Sequence, residues 1–344
     1  MDHKVALLGF GGVGQGFLNI IHEKKEALQT QYGQSIEVVS ISDLSKGTLH
    51  NDSGLDMDKV LSCLQEDGTL HHYTDEPGLE KGWDTMTTVK KSNATVVVEL
   101  TPTDVETGQP AIDHCTAALS SGKHVVTTNK GPVVNAYREL QQLAARNNVG
   151  MFFEGTVMSG TPALSMPRET LAGNDIQKIR GILNGTTNSM LAEMAKGIPY
   201  ESALKNAQSK GYAEADPTND VKGYDVQGKV VILANVLMGG NVTRDDIPCQ
   251  GISHLTEADI TEAKRQGKTW KLIGAIEKNG KQVEGYVRPE KLDDEDPLAS
   301  ISGPTNAISY QCDLLGEITL TGAGAGITET GYAVLNDILT IGRS

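Results

Sequence analysis

Basic charge is scarce in this chain. Thirty Lys and Arg stand against 44 Asp and Glu, a formal net charge of −14 and a pI near 5.0. Phosphate binding along a nucleic acid needs a concentrated positive footprint, and no basic run exceeds Lys90-Lys91, so a nucleic-acid partner is not expected. Long apolar runs are missing too. The longest, Val230 to Met238, contains Asn235 and is far too short to span a bilayer, so no membrane partner is expected. Cysteine is thin: Cys63, Cys115, Cys249 and Cys312 lie far apart with no Cys-x-x-Cys, which excludes a disulfide scaffold and reads as reduced, buried small side chains. The N-terminus, Met-Asp-His-Lys-Val, has neither a basic leader nor an apolar core for one. A cytoplasmic protein is the expectation.

What is present is enough for two domains, since 344 residues divide at roughly 150 per domain. Lys4 to Gly9 is a short apolar run ending at glycine. Residues 12–31 carry Val13, Phe17, Ile20, Ile21 and Leu28 at helical spacing. Ile36 to Ser42, Thr95 to Leu100 and His124 to Thr128 read as further strands, with helical patterns near 108–121 and 132–146. Strands alternating with helices predict an α/β domain on a doubly wound parallel sheet, and the near-continuous Val runs fit strands covered on both faces.

After Phe152-Phe153 the pattern changes. Gly155 to Pro162 reads as a turn-rich hinge, followed by helices near 160–172, 186–195, 199–210 and 222–239. From about 269 to 320 the signals turn β-like without intervening helices, which predicts an α+β second domain. Gly322-Ala-Gly-Ala-Gly326 then opens a final helix. The expected division is 1–150 with about 321–344 for the first domain and 151–320 for the second.

Gly9-Phe10-Gly11-Gly12-Val13-Gly14 matches G-x-G-x-x-G between a strand and a helix. In that setting the first glycine makes the tight turn, the second admits a pyrophosphate to the backbone, and the third lets helix and strand pack closely. The helix N-terminus supplies free N–H groups to the phosphates. The pattern predicts a Rossmann-type dinucleotide site. Asp43, at the end of the second strand, is placed for the adenosine ribose 2′-OH and favours NAD, whereas Lys46 offers a cation to a 2′-phosphate; NAD and NADP both stay open.

In Gly211-Tyr-Ala-Glu-Ala-Asp-Pro-Thr-Asn-Asp-Val-Lys-Gly-Tyr-Asp-Val-Gln-Gly-Lys229 a helix should begin near Asp220 and run to about 238. Asp225 and Lys229 then stand at i and i+4 and project from one face. A surface ion pair at that spacing is worth only ~0.3–0.5 kcal/mol. However, Lys229 runs directly into the apolar Val230 to Leu233, and Gly228 interrupts the helix just before it, at a cost of roughly 0.5–1 kcal/mol against Ala. Both features argue against a plain surface pair, the glycine asking for a reason such as close approach of a ligand, and from the residues alone a functional and a structural pair both stay open.

This stretch resembles the signature of homoserine dehydrogenases: Ala207, Gly211-Tyr212-Ala213, Asp216-Pro217, Asp220-Val221, Gly223, Asp225 and Lys229 at the family's spacing. Ile182-Leu-Asn-Gly-Thr-Thr-Asn188, Thr128-Asn-Lys-Gly-Pro132 and Gly322-Ala-Gly324 resemble family segments in the same order. The resemblance implies a Rossmann-type domain plus a catalytic and dimerisation domain, with the last helix returning to the cofactor domain. It implies NAD(P)-dependent interconversion of L-homoserine and L-aspartate 4-semialdehyde on the way to threonine and methionine, by a homodimer.

By that resemblance Lys229 is the acid/base residue. Glu214 and Asp225 are the carboxylates that hold the substrate, and Gly185 is a substrate-contacting turn. Lys130 lies between nicotinamide and substrate, Thr101 faces the cofactor crevice, and Gly324 reaches the cofactor through its backbone. Glu154, Val157, Ser159 and Thr161 match positions that coordinate a sodium ion, mostly through carbonyls, which suits a hard cation. Ser189 stands where the family often carries an aromatic residue. The resemblance also implies a short form with neither an ACT-type regulatory domain nor an aspartokinase.

Two rivals carry different expectations. An aspartate-semialdehyde dehydrogenase needs an activated Cys nucleophile, and none of the four cysteines sits in a recognisable nucleophile turn. A non-catalytic NAD(P) sensor would keep the fold but has no need of Glu214, Asp225 and Lys229 together.

Overall fold

The computed structural model describes residues 1–343. They form two compact units, one of Met1–Gly160 together with the residues from Gly326 on, the other of Thr161–Ala325.

In the first unit, β1 (Asp2–Leu8) is followed by α1 (Gly12–Glu23), α2 (Lys25–Tyr32) and β2 (Ser35–Asp43). After β3 (Gly47–His50), α3 (Met57–Asp67) and β4 (Glu80–Lys81), the chain alternates α4 (Thr85–Lys91), β5 (Val96–Glu99), α5 (Ala111–Ser120), β6 (His124–Thr127), α6 (Lys130–Arg146) and β7 (Met151–Phe152). The sheet order is β4-β3-β2-β1-β5-β6-β7. From β2 through β1, β5, β6 and β7 every pairing is parallel, and only the β3–β4 edge is antiparallel. Val96, Val97 and Val98 are all fully buried, which is why this strand reads as an unbroken apolar run rather than an alternating one. The chain leaves β1 for β2 on one side and resumes at β5 on the other, so the carboxyl ends of β1 and β5 flank the switch point where such sheets take ligands.

The second unit holds α7 (Ser165–Glu169), β8 (Ile176–Ile182), α8 (Gly185–Met194), α9 (Tyr200–Ser209), α10 (Thr218–Val221), α11 (Tyr224–Leu237), α12 (Glu257–Arg265), β9 (Lys268–Asn279), β10 (Gln282–Asp293), β11 (Thr305–Cys312) and β12 (Gly316–Ala323). The strands form one antiparallel sheet in the order β10-β9-β8-β11-β12. Helix α11 lies against it: a side chain at Gly274 would meet Val226 and Val230 within 2.8 Å. Residues 160–172 are helical only over α7, because Pro162 disfavours helical backbone at the residue before it. The helix expected from Asp220 is two. Gly223 adopts a left-handed φ of 85° at the N-cap of α11, which separates α10 from α11.

The last helix, α13 (Ile327–Ile341), belongs to the first unit and packs on α1. The crossing is close enough that a side chain at Gly16 would sit 2.7 Å from the Ile327 carbonyl, and one at Gly331 2.7 Å from the Phe17 nitrogen. Among the described residues no helix is long and apolar enough to cross a membrane.

Candidate active site

The turn after β1 needs glycine first for geometry. Gly9 has a φ of +86°, and a Cβ there would lie 2.7 Å from the Leu100 carbonyl, so the loop after β1 and the loop after β5 touch backbone to backbone. Gly11 is the N-cap of α1, which has no side-chain cap and no acidic residue in its first turn. The positive end of that helix is therefore left for an anion. Asp43 turns back onto this loop: its Oδ2 accepts from Phe10 N at 2.7 Å, while Oδ1 accepts from Ser45 N, Ser45 Oγ and Lys46 N at 2.8–2.9 Å. Burial works to raise its pKa, but these donors outweigh it and hold the carboxyl below its ordinary value. Lys46 Nζ donates to the Gly68 carbonyl at 3.0 Å, and Leu44 is fully exposed. These groups fit a dinucleotide whose adenosine end meets Asp43 and whose pyrophosphate meets the N-terminus of α1.

Across the switch point, Thr101 donates through N and Oγ1 to Glu99. Asn129 donates from Nδ2 to the Thr101 carbonyl at 3.0 Å and caps α6 by accepting from Gly131 N at 2.9 Å. That cap sets the position of Lys130, the first residue of α6.

In the second unit the expected pair is buried. Lys229, 6% exposed, donates to Asp225 Oδ2 at 2.7 Å and to the Leu183 carbonyl at 2.6 Å. Two residues outside the expected site set complete the cluster. Asn184 donates from Nδ2 to Asp220 Oδ1 at 2.6 Å and to Asp225 Oδ2 at 3.0 Å, and its Oδ1 caps α8 through Thr187 N. Burial raises the pKa of Asp220; the Asp225 charge raises it further, while the Asn184 hydrogen bond and Lys229 oppose both. Asp220 is visible in sequence as part of the signature, but its link to Asn184 spans 36 residues and leaves no local pattern.

Glu214 is exposed on the loop between α9 and α10. That loop is tied to the N-terminus of α8 by Thr186 Oγ1, which donates to the Tyr212 carbonyl at 2.5 Å. Gly185 packs so closely that a Cβ would lie 2.6 Å from the Pro304 carbonyl. Ser189 is buried on α8. Gly324 abuts Asn306, where a Cβ would fall 2.1 Å from Nδ2. Glu154, Val157 and Ser159 share one loop of the first unit, with Met158 and Ser159 both left-handed, and Thr161 is the first residue of the second unit.

The comparisons with known proteins cover both units. The chain matches the family profile "Homoserine dehydrogenase, NAD binding domain" over residues 9–154 and "Homoserine dehydrogenase" over residues 162–339. It is 42% identical over 344 residues to an NAD(+)-dependent homoserine dehydrogenase of Pseudomonas canavaninivorans, covering 100% of this chain and 97% of that one. The chain belongs to the homoserine dehydrogenase family. A homoserine dehydrogenase of Methanocaldococcus jannaschii is 39% identical, covering 99% of this chain and 98% of that one. Among solved structures, a hyperthermophilic archaeal homoserine dehydrogenase in complex with NADPH superposes with a TM-score of 0.85 at 30% identity, covering 100% of this chain and 98% of that one. One from Thiobacillus denitrificans has the same TM-score at 31% identity, covering 100% of this chain and 74% of that one. The activity of this chain, as a member of the family, is the NAD(P)-dependent interconversion of L-homoserine and L-aspartate 4-semialdehyde, a step of amino-acid biosynthesis.

Proposed function

We propose that Lys229 moves the proton of the substrate hydroxyl and that NAD is the preferred cofactor. The observation that carries the first part is the double anchoring of Lys229 Nζ by Asp225 Oδ2 and the Leu183 carbonyl. An ammonium has three donors; two are engaged, and the third serves the substrate oxygen. When aldehyde is reduced, Lys229 gives a proton to the forming alkoxide; when homoserine is oxidised, the same path runs in reverse and the hydroxyl proton passes to Lys229. A nicotinamide dinucleotide held by the loop from Gly9 to Gly14 and Asp43 would supply the hydride in one direction and accept it in the other. Asp225 and the exposed Glu214 hold the substrate's polar ends, because an α-ammonium leaving water needs carboxylate partners. Gly185 contributes the turn against which the substrate lies.

Within the first unit Thr101 and Lys130 take the nicotinamide side in this reading, and the loop from Gly9 to Gly14 with Asp43 takes the adenosine side; a backbone contact from Gly324 to the cofactor is carried by the family resemblance alone. NAD is favoured because Asp43 is held charged, Lys46 is committed to Gly68 and Leu44 carries no charge. A 2′-phosphate there would face the Asp43 carboxylate, and Lys46 would have to leave the Gly68 carbonyl to meet it. The NAD(+)-dependent Pseudomonas relative supports the same choice.

The loop carrying Glu154, Val157, Ser159 and Thr161 is assigned a sodium ion. One carboxylate among carbonyl and hydroxyl oxygens suits a monovalent cation better than a divalent one. A homodimer is inferred from the exposed Leu314-Leu315 turn beside the edge strand β12, and a cytoplasmic location from the four free cysteines. In this reading the first unit is the cofactor domain and the second, Thr161–Ala325, the catalytic and dimerisation domain. The deciding experiment is NADH or NADPH formation from L-homoserine by the purified protein, with each cofactor in turn. Turnover favouring NAD supports the reading, and turnover only with NADP removes Asp43 from its role.

A further inference from the structure

A carboxylate that the proposed chemistry does not use lies beneath the cofactor side of the first unit. Glu99 is 0% exposed at the end of β5, where a run of valines has no need of a charge. A buried carboxylate is expensive unless donors surround it, and the donors around Glu99 all come from the loops that receive the cofactor or from the helix beneath them. Thr101 N donates to Oε1 at 3.2 Å, and Thr101 Oγ1 donates to the same atom. His114 Nδ1, on α5, lies 3.4 Å from Oε1, and its ring is held from the other side by Thr85 Oγ1 at 2.9 Å. Thr127 Oγ1 gives its hydrogen to the Glu99 carbonyl at 2.8 Å and sits 3.4 Å from Oε2.

The web continues to Lys130. Asn129 N donates to Thr127 Oγ1 at 3.0 Å, its Nδ2 donates to the Thr101 carbonyl, and its Oδ1 caps the helix that Lys130 begins. The two loops are thus tied at two points, Thr127 Oγ1 to the Glu99 backbone carbonyl and Asn129 Nδ2 to the Thr101 carbonyl, and the Glu99 carboxylate holds the Thr101 end of the second tie.

We propose that Glu99 is a positioning residue that sets the spacing of the Thr101 and Asn129-Lys130 loops for the nicotinamide end of the cofactor. The proposal rests on the reading that assigns Thr101 and Lys130 to that end. Glu99 touches neither cofactor nor substrate in this account and acts only through its partners. The carboxylate can be replaced by an amide: Oε1 would remain an acceptor for Thr101, and an NH2 at the Oε2 position would donate to Thr127 Oγ1, which keeps a lone pair for it. An apolar side chain of similar size satisfies none of these groups.

The test compares NAD with adenosine diphosphate ribose, which is the same molecule without the nicotinamide. Dissociation constants for both, thermal midpoints and turnover of L-homoserine are measured for the wild type, Glu99→Leu and Glu99→Gln. In Glu99→Leu the expected result is NAD binding weakened by about tenfold and a fall in kcat. Adenosine diphosphate ribose should bind within about twofold of wild type, and Glu99→Gln should restore both lost quantities. A fold-wide structural role would weaken the two ligands in parallel, and that result, or an unchanged Glu99→Leu, overturns the proposal. If Glu99→Leu does not fold, Asn129→Ala cuts the same web one link later and must give the same split. Wild-type protein that binds NAD without turning over homoserine would contradict the function, while the ratio of the two dissociation constants still decides the role of Glu99.

Discussion

Lys229 Nζ lies 2.7 Å from Asp225 Oδ2, one turn away on the same face of α11, and both side chains are withdrawn from bulk solvent. The pair is therefore not the exposed i,i+4 bridge that the spacing alone allows. Its lysine also donates to the carbonyl of Leu183, 46 residues earlier, which joins α11 to the segment leading into α8.

The first prediction concerns this pair. Asp225→Asn keeps the volume and one acceptor but removes the charge that orients the lysine, so kcat should fall by about 10- to 100-fold with the thermal midpoint little changed. Steady-state kinetics beside a melting curve test it. An unchanged kcat would reduce Asp225 to a packing role.

Asp220 makes the opposite trade. Its pKa is raised on folding, chiefly by burial, so the folded protein holds this proton to a higher pH than the unfolded chain does. Stability therefore declines as pH rises from the ordinary carboxyl value, about 3.9, through the raised one, and the full cost is carried above it. Asp220→Asn should raise the thermal midpoint at neutral pH, with the gain shrinking as pH drops towards 4, while turnover falls. A variant destabilised by the same amount at both pH values would contradict this.

Glu214 projects from an exposed loop whose backbone is anchored by Thr186 and Gln208. Glu214→Gln should leave the fold intact and raise KM for homoserine by about tenfold, the equivalent of one lost charged contact. A normal KM would remove it from the substrate site.

Cofactor preference follows from Asp43. The ratio of kcat/KM for NAD over NADP should be about tenfold or more, since a phosphate brought against a like charge is penalised by several kcal/mol. Asp43→Ala should shrink that ratio mainly by weakening NAD. A wild type that prefers NADP would mean that Asp43 is not the discriminating group.

Much of the first unit could be read from residues alone because its signals are local. The glycine loop, the Val96 to Val98 run and the alternation of periods each lie within a few residues. The second unit was harder. β8 reads Ile-Gln-Lys-Ile-Arg-Gly-Ile, with Lys178 and Arg180 interrupting the alternation, and was not anticipated; its lysine and arginine are accounted for by ion pairs with Glu277 and Asp296. The break at Gly223 was hidden because glycine is tolerated within helices and its left-handed φ becomes visible only in the fold. The Leu183 carbonyl has no sequence signature at all. Glu99 did leave a trace, a single acid at the end of a buried valine strand, but its meaning depends on Thr127 and Asn129 from the next loop.

The most direct test of the account is kcat for Lys229→Ala, followed by NADH formation from L-homoserine, with NAD binding and the thermal midpoint measured on the same preparation. Loss of an acid/base group predicts a fall of ~10²–10⁴-fold with cofactor binding preserved. A kcat near wild type, in a variant that still folds and binds NAD, would show that the proton travels by another residue.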